Sequence, residues 1–198
     1  MYSFIYYLAR TVFKLLGGRF TVHNKERIPD TAFVVVCTHR TWLDIIYLAI
    51  ALHPYKVHFM AKQELFSFPP AGRFLASINA FPVNRAHPGP SVLKEPLKRL
   101  KSGKIVGIFP SGTRNAEQAS LKRGAVTIAM KADVRILPAV YSGPLSFTKL
   151  LLRKPAYIRF GDAICPPDAD SLSKEAIAEK MAELQDAFER LQSSNPEG

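Results

Sequence analysis

No run of uninterrupted apolar residues in this chain approaches the ~20 that a helix needs to cross a bilayer, so a hydrophobic span of that kind is excluded. Cysteine is scarce. Cys37 and Cys165 stand far apart and lack C-x-x-C or Cys/His ligand spacing, which indicates neither a disulfide framework nor a zinc site and fits a reducing, cytosolic setting. Cys37, inside an apolar run, reads as a small buried hydrophobe. Acidic residues are also few, 16 Asp plus Glu against 27 Lys plus Arg, giving a formal charge of +11. That balance favours anionic partners: nucleic acid, an acidic carrier protein, phosphorylated substrates or anionic lipid headgroups. Nucleic acid is disfavoured because the chain has no RNP-like aromatic block, helix-turn-helix cue or zinc spacing. There is no G-x-S-x-G elbow and no other evident nucleophile, which favours direct transfer to a substrate hydroxyl over hydrolysis through a covalent enzyme intermediate.

What is present alternates between strand and helix. Short β-branched runs at Phe33–Cys37, Tyr55–Ala61, Ala80–Val83, Lys104–Phe109, Arg135–Tyr141 and Ala156–Asp162 read as strands. Helices are expected at Trp42–Leu52, Ser91–Lys101 (kinked or in its first turn at Pro96), Gly124–Ala132 and Ser171–Gln192, the last capped by Ser171 or Ser173. Helical turns interrupted at Pro69-Pro70 are expected over Gln63–Ser77. This order implies a single-domain α/β sandwich on a largely parallel sheet, with an antiparallel strand near the C-terminal end. Three units are expected: an amphipathic helix over 1–18, an α/β domain over 19–192 and a disordered tail over 193–198.

The first helix, closed by Gly17-Gly18, is apolar over most of its circumference, with Ser3, Tyr7, Arg10 and Lys14 on a narrow polar stripe. Two placements fit: lying in a membrane interface, with its tyrosines at headgroup level and its cations toward lipid phosphates, or docking on the protein's own core.

In open α/β sheets, reacting groups collect where strands end. In "CTHRTWLD", His39 follows an apolar strand and Asp44 comes five residues later. On a regular helix that spacing separates side chains by about 140°, but a histidine in the preceding turn can meet an aspartate one turn inside. The aspartate then fixes the tautomer, leaving the other ring nitrogen to accept a proton from an alcohol. Taken alone, the pair also fits a helix-capping role. In "FPSGTR", Gly112 permits a tight turn, Thr113 offers a hydroxyl and Arg114 a planar fork for phosphate oxygens, while Lys122 and Arg123 precede an expected helix start. Arg85, ending "AFPVNR", offers a second cation for the same anion.

Together, "THRTWLDI", "NAFPVNR", "FPSGTR" and "ILPAVY" resemble, in order and spacing, the four blocks of the glycerolipid acyltransferases, over most of the chain to Asp162. The resemblance implies that His39 deprotonates the sn-2 hydroxyl of a 1-acyl-glycerol-3-phosphate and that Asp44 orients it. It further implies that Arg85, Gly112, Thr113, Arg114 and Lys62 hold the substrate phosphate, with Ser111 and Lys122 as further contributors. The acyl group comes as a thioester of acyl carrier protein or coenzyme A, the product is phosphatidic acid, and neither metal nor other cofactor is called for. It implies a peripheral or monotopic place at the cytoplasmic face of an anionic membrane. Glycerol-3-phosphate or another lysophospholipid as acceptor stays open, as does a non-catalytic binder of anionic lipid. Three positions depart from the family pattern: Ser111 replaces Glu, Asn79 replaces Gly and Asn84 stands where Asp is frequent.

Overall fold

The computed structural model describes residues 2–84, 90–110, 115–166 and 173–193. The runs expected to form strands do so: β2 (Phe33–Cys37), β3 (Val57–Lys62), β4 (Phe81–Val83), β5 (Ile105–Ile108), β6 (Arg135–Ser142) and β7 (Ala156–Phe160). A further strand, β1 (Phe20–His23), lies in the weakly alternating stretch after the double glycine. They form one seven-stranded sheet in the order β1-β7-β6-β2-β5-β3-β4. Every pairing is parallel except β6 with β7. β2 and β5 lie inside the sheet and are buried along their whole lengths, as continuous apolar strands require when helices cover both faces.

Alternate residues of β2 serve opposite faces. Phe33, Val35 and Cys37 join one core with α2 (Trp42–Ala51), while Val34 and Val36 join another with α4 (Pro90–Lys101), α5 (Asn115–Ala132) and α7 (Lys174–Ser193). α1 (Tyr2–Leu16), α3 (Pro69–Ser77) and the short α6 (Phe147–Leu151) complete the α2 side. On that side Gly107 of β5 faces Phe59, and an added Cβ would stand 2.6 Å from the Phe59 ring. Gly107→Ala is therefore expected to destabilise the fold by about 1–3 kcal/mol through overpacking, measured by chemical denaturation.

Several boundaries differ from those expected. Pro69-Pro70 start α3 instead of interrupting it, since proline is tolerated in a helix's first turn, where the missing N–H has no partner to lose. α5 begins at Asn115, well before Gly124. α7 begins at Lys174, where the Ser173 hydroxyl accepts from the Ala176 N–H, and extends through Ser193, which had been assigned to the tail. Ser171 and residues 194–198 lie outside the described residues.

α1 docks on the core. Tyr6 stacks on His53 with ring centroids 4.1 Å apart, Phe13 meets Tyr47 edge-on at 5.2 Å, and Arg153 Nη1 donates to the Leu15 carbonyl at 3.0 Å. Its outer surface still presents Tyr7, Leu8 and Leu15 to solvent, each more than half exposed. The exposed large hydrophobics are one-sided. Among the described residues they are Tyr7, Leu8, Leu15, Trp42, Leu65, Phe68, Phe74, Leu145, Phe147, Leu151 and Leu152, all on or beside α1, α2, α3 and α6 and none on α4, α5 or α7. No helix among the described residues is long and apolar enough to cross a membrane.

Candidate active site

β2 delivers Thr38 and His39 directly to the carboxyl edge of the sheet, and α2 starts three residues later. Thr41 is the N-cap, in extended conformation, with its hydroxyl accepting from the Leu43 N–H. Asp44 occupies the third helical position. Its Oδ2 accepts the Arg40 and Thr41 backbone N–H groups at 2.8 and 3.0 Å, and its Oδ1 accepts from His39 Nδ1 at 2.8 Å. A fully buried carboxylate is costly unless its lone pairs are satisfied; three donors and the positive end of α2 satisfy this one. Asp44 is the only buried charged side chain among the described residues. The capping role and the histidine-orienting role are thus held by the same group, through different oxygens.

With Nδ1–H committed to the carboxylate, the bare nitrogen of a neutral His39 is Nε2. The side chain is 27% exposed, enough to meet a substrate. One wall of the site is apolar: Phe109, just beyond β5, lies 5.1 Å from the imidazole and stacks on Phe59 at 5.7 Å. Cys37, two residues before the histidine, is no nucleophile. Burial, reinforced by the Asp44 charge, pushes its thiol well up, so it stays protonated.

β2, β5, β3 and β4 are neighbours and parallel, so their carboxyl ends share one edge. Lys62 is the exposed last residue of β3, paired in register with Val83 at the end of β4. Arg85 follows β4 by two positions; Ser111, Gly112, Thr113 and Arg114 follow β5. All five lie outside the described residues. Lys122 is placed otherwise than expected. It sits inside α5, its Nζ donates to Gln185 of α7 and it lies 5.7 Å over the Phe188 ring. The short run Leu121–Ala125 is helix interior, not a helix start, and its lysine is used in the packing of α5 against α7. Asn79 follows α3 with φ 62°, a left-handed conformation that glycine and asparagine tolerate best, so this departure keeps the backbone geometry a glycine would supply.

The sequence reading missed an apolar cavity of about 270 Å³, lined by Trp42, Ile46, Ala49, Phe59, Phe74 and Ile78 among others, which adjoins the apolar wall of the site through the Phe59–Phe109 stack. The signal was available. α2 buries Leu43, Tyr47, Leu48 and Ala51 against the sheet, yet its opposite face carries Trp42, Ile45, Ile46, Ala49 and Ile50. A helix apolar all round has a second hydrophobic partner to find.

The chain matches the family model described as Acyltransferase over residues 19–142. It is 44% identical to the 1-acyl-sn-glycerol-3-phosphate acyltransferase of Bacillus subtilis across 97% of each chain. It is 36% identical to the enzyme of that name from Streptococcus pneumoniae, across 89% of this chain and 67% of that one. Its fold resembles the crystal structure of the 1-acyl-sn-glycerophosphate acyltransferase PlsC from Thermotoga maritima. The TM-score is 0.70 at 24% identity, over 98% of this chain and 81% of that one.

Proposed function

The chain belongs to the acyltransferase family, and on that premise we propose that His39 and Asp44 are the general-base pair of a direct acyl transfer. The enzyme moves a fatty acyl group from a thioester to the sn-2 hydroxyl of 1-acyl-glycerol-3-phosphate, giving phosphatidic acid. The observation that carries the assignment is the 2.8 Å bond from His39 Nδ1 to a fully buried Asp44, in a site whose Phe109 wall stacks on Phe59 of the apolar cavity.

The acceptor hydroxyl gives its proton to His39 Nε2 while its oxygen attacks the thioester carbonyl carbon. A new C–O bond forms, the C–S bond breaks, and the leaving sulfur takes the proton back from the imidazolium, which Asp44 stabilises meanwhile. These steps balance without a metal or an enzyme-bound acyl group. Arg85, Gly112, Thr113 and Arg114 hold the acceptor phosphate, joined by Lys62 from the end of β3 and by Ser111, the residue before Gly112 in sequence. Support for this comes from strand order, which brings β4 and β5 to the same edge as β2.

The apolar cavity takes acyl-chain hydrocarbon. Ala49→Phe is expected to fill its floor and move donor preference toward shorter chains, read from competition between thioesters of different lengths. The one-sided hydrophobic surface supports peripheral or monotopic attachment to an anionic membrane by the α1, α3 and α6 side, with the basic residues of α1 toward headgroups. Leu8→Glu with Leu15→Glu should reduce flotation with anionic vesicles at least ten-fold, since each apolar side chain contributes about 1.5–3 kcal/mol on burial.

The direct test supplies purified protein with 1-acyl-glycerol-3-phosphate and an acyl thioester, once on coenzyme A and once on acyl carrier protein, and follows phosphatidic acid. Product from glycerol-3-phosphate but not from 1-acyl-glycerol-3-phosphate would reassign the acceptor.

A further inference from the structure

Three chemical groups converge on His39 Nε2: the acceptor hydroxyl, the acyl carbonyl, and the leaving sulfur with whatever carries it. Two directions away from the histidine are already used. The apolar cavity runs off between α2 and α3, and β5, β3 and β4 lead to the cations assigned to the acceptor phosphate. The third direction is the opposite flank of β2, toward β6 and β7.

A separate recess of about 440 Å³ opens there, lined by Thr38, Arg40, Ser142, Tyr157, Arg159 and Gln192 among others. Thr38 and Arg40 are the immediate chain neighbours of His39 on either side. The recess exists because β7 reverses direction: antiparallel pairing sets Tyr157 opposite Ser142 at the carboxyl edge, and the end of α7 closes the far side. Its chemistry is the inverse of the apolar cavity. Hydroxyls, an amide and two guanidinium groups line it beside Val140 and Leu191, and among the described residues no carboxylate does. Arg159 is held in place by donating from Nη1 to the Leu191 carbonyl at 3.0 Å. Arg40 is exposed and has no acidic partner among the described residues.

We propose that this recess receives the phosphopantetheine arm of the acyl donor, the arm that coenzyme A and acyl carrier protein share. Arg40 and Arg159 face its phosphate, and the hydroxyls of Thr38, Ser142 and Tyr157 face its amides. The inference rests on the acyl-transfer reading above: with hydrocarbon in the apolar cavity and the thioester at Nε2, the arm leaves on the side where the polar recess lies.

The test compares three donors bearing the same acyl chain: acyl-coenzyme A, acyl-acyl carrier protein, and acyl-pantetheine, which lacks the phosphate. Arg40→Ala should raise KM for both phosphorylated donors about ten-fold or more. It should leave KM for the acceptor in place and narrow the gap between acyl-coenzyme A and acyl-pantetheine. Gln192→Glu, at an exposed position, should act in the same direction by repelling the phosphate. Calorimetric titration of coenzyme A into His39→Ala protein, with and without Arg40→Ala, reads the recess without turnover and should show about ten-fold weaker binding in the double variant. A KM shift equally large for acyl-pantetheine would overturn the assignment, as would a shift confined to acyl-acyl carrier protein or to acyl-coenzyme A. Absence of turnover from all three donors would overturn the acyl-transfer reading. Unchanged coenzyme A binding on adding Arg40→Ala would overturn the recess alone.

Discussion

Replacing His39 by alanine is expected to lower kcat by about 10² to 10⁴, the range a positioned general base contributes, while the protein stays folded. The expectation follows from where the ring sits. It lies outside the two cores, partly exposed, and its one described polar bond is to Asp44, so truncating it leaves no cavity of consequence. Circular dichroism should match the unsubstituted protein. KM for the acceptor should change little, since other residues are assigned to the phosphate. A folded His39→Ala protein working within ten-fold of the original rate would remove the histidine from the chemistry.

Asp44 should separate into two effects according to the replacement. Asp44→Ala strips a buried acceptor from the N–H groups of Arg40 and Thr41 and from His39 at once. Each unpaired buried donor costs about 1–3 kcal/mol, so a loss of roughly 2–5 kcal/mol in stability is expected together with the loss of activity. Asp44→Asn is the sharper probe. Its carbonyl oxygen can still accept from the two backbone groups, but its amide then faces Nδ1 and donates. That drives the ring to the tautomer with its proton on Nε2, where the hydroxyl must be deprotonated. Stability should be nearly kept while kcat falls about 10⁴-fold, as happens when the aspartate of a serine-protease triad is made amide. An Asp44→Asn protein that keeps kcat along with its stability would show the carboxylate to be a cap and nothing more.

The inner strands were legible because burial on both faces leaves no room for polar residues: Val34, Val35 and Val36 can only be interior. The meeting of His39 with Asp44 was legible because a turn followed by a helix start is the one local arrangement that lets that spacing close. Other parts were hidden for physical reasons. Residues 115–123 hold little apolar periodicity, so the first half of α5 looked like loop and left Lys122 seemingly free at a helix start. The apolar cavity is made by α1, α2, α3 and β3 together, and the polar recess by β6, β7, α7 and the residues on either side of His39. Neither grouping is local in the chain, so no window of sequence displays it. The outward side of α1 was readable as hydrophobic, but its inner contacts through Tyr6 and Phe13 depend on His53 and Tyr47, some 34–47 positions away.

One carboxylate closes the first turn of α2 and aims the imidazole. If His39 is the base proposed above, fraying of that turn disables proton transfer while the sheet remains intact, and tightening it holds the ring in register. On that assignment, folding of a single helical turn and readiness for reaction become one equilibrium.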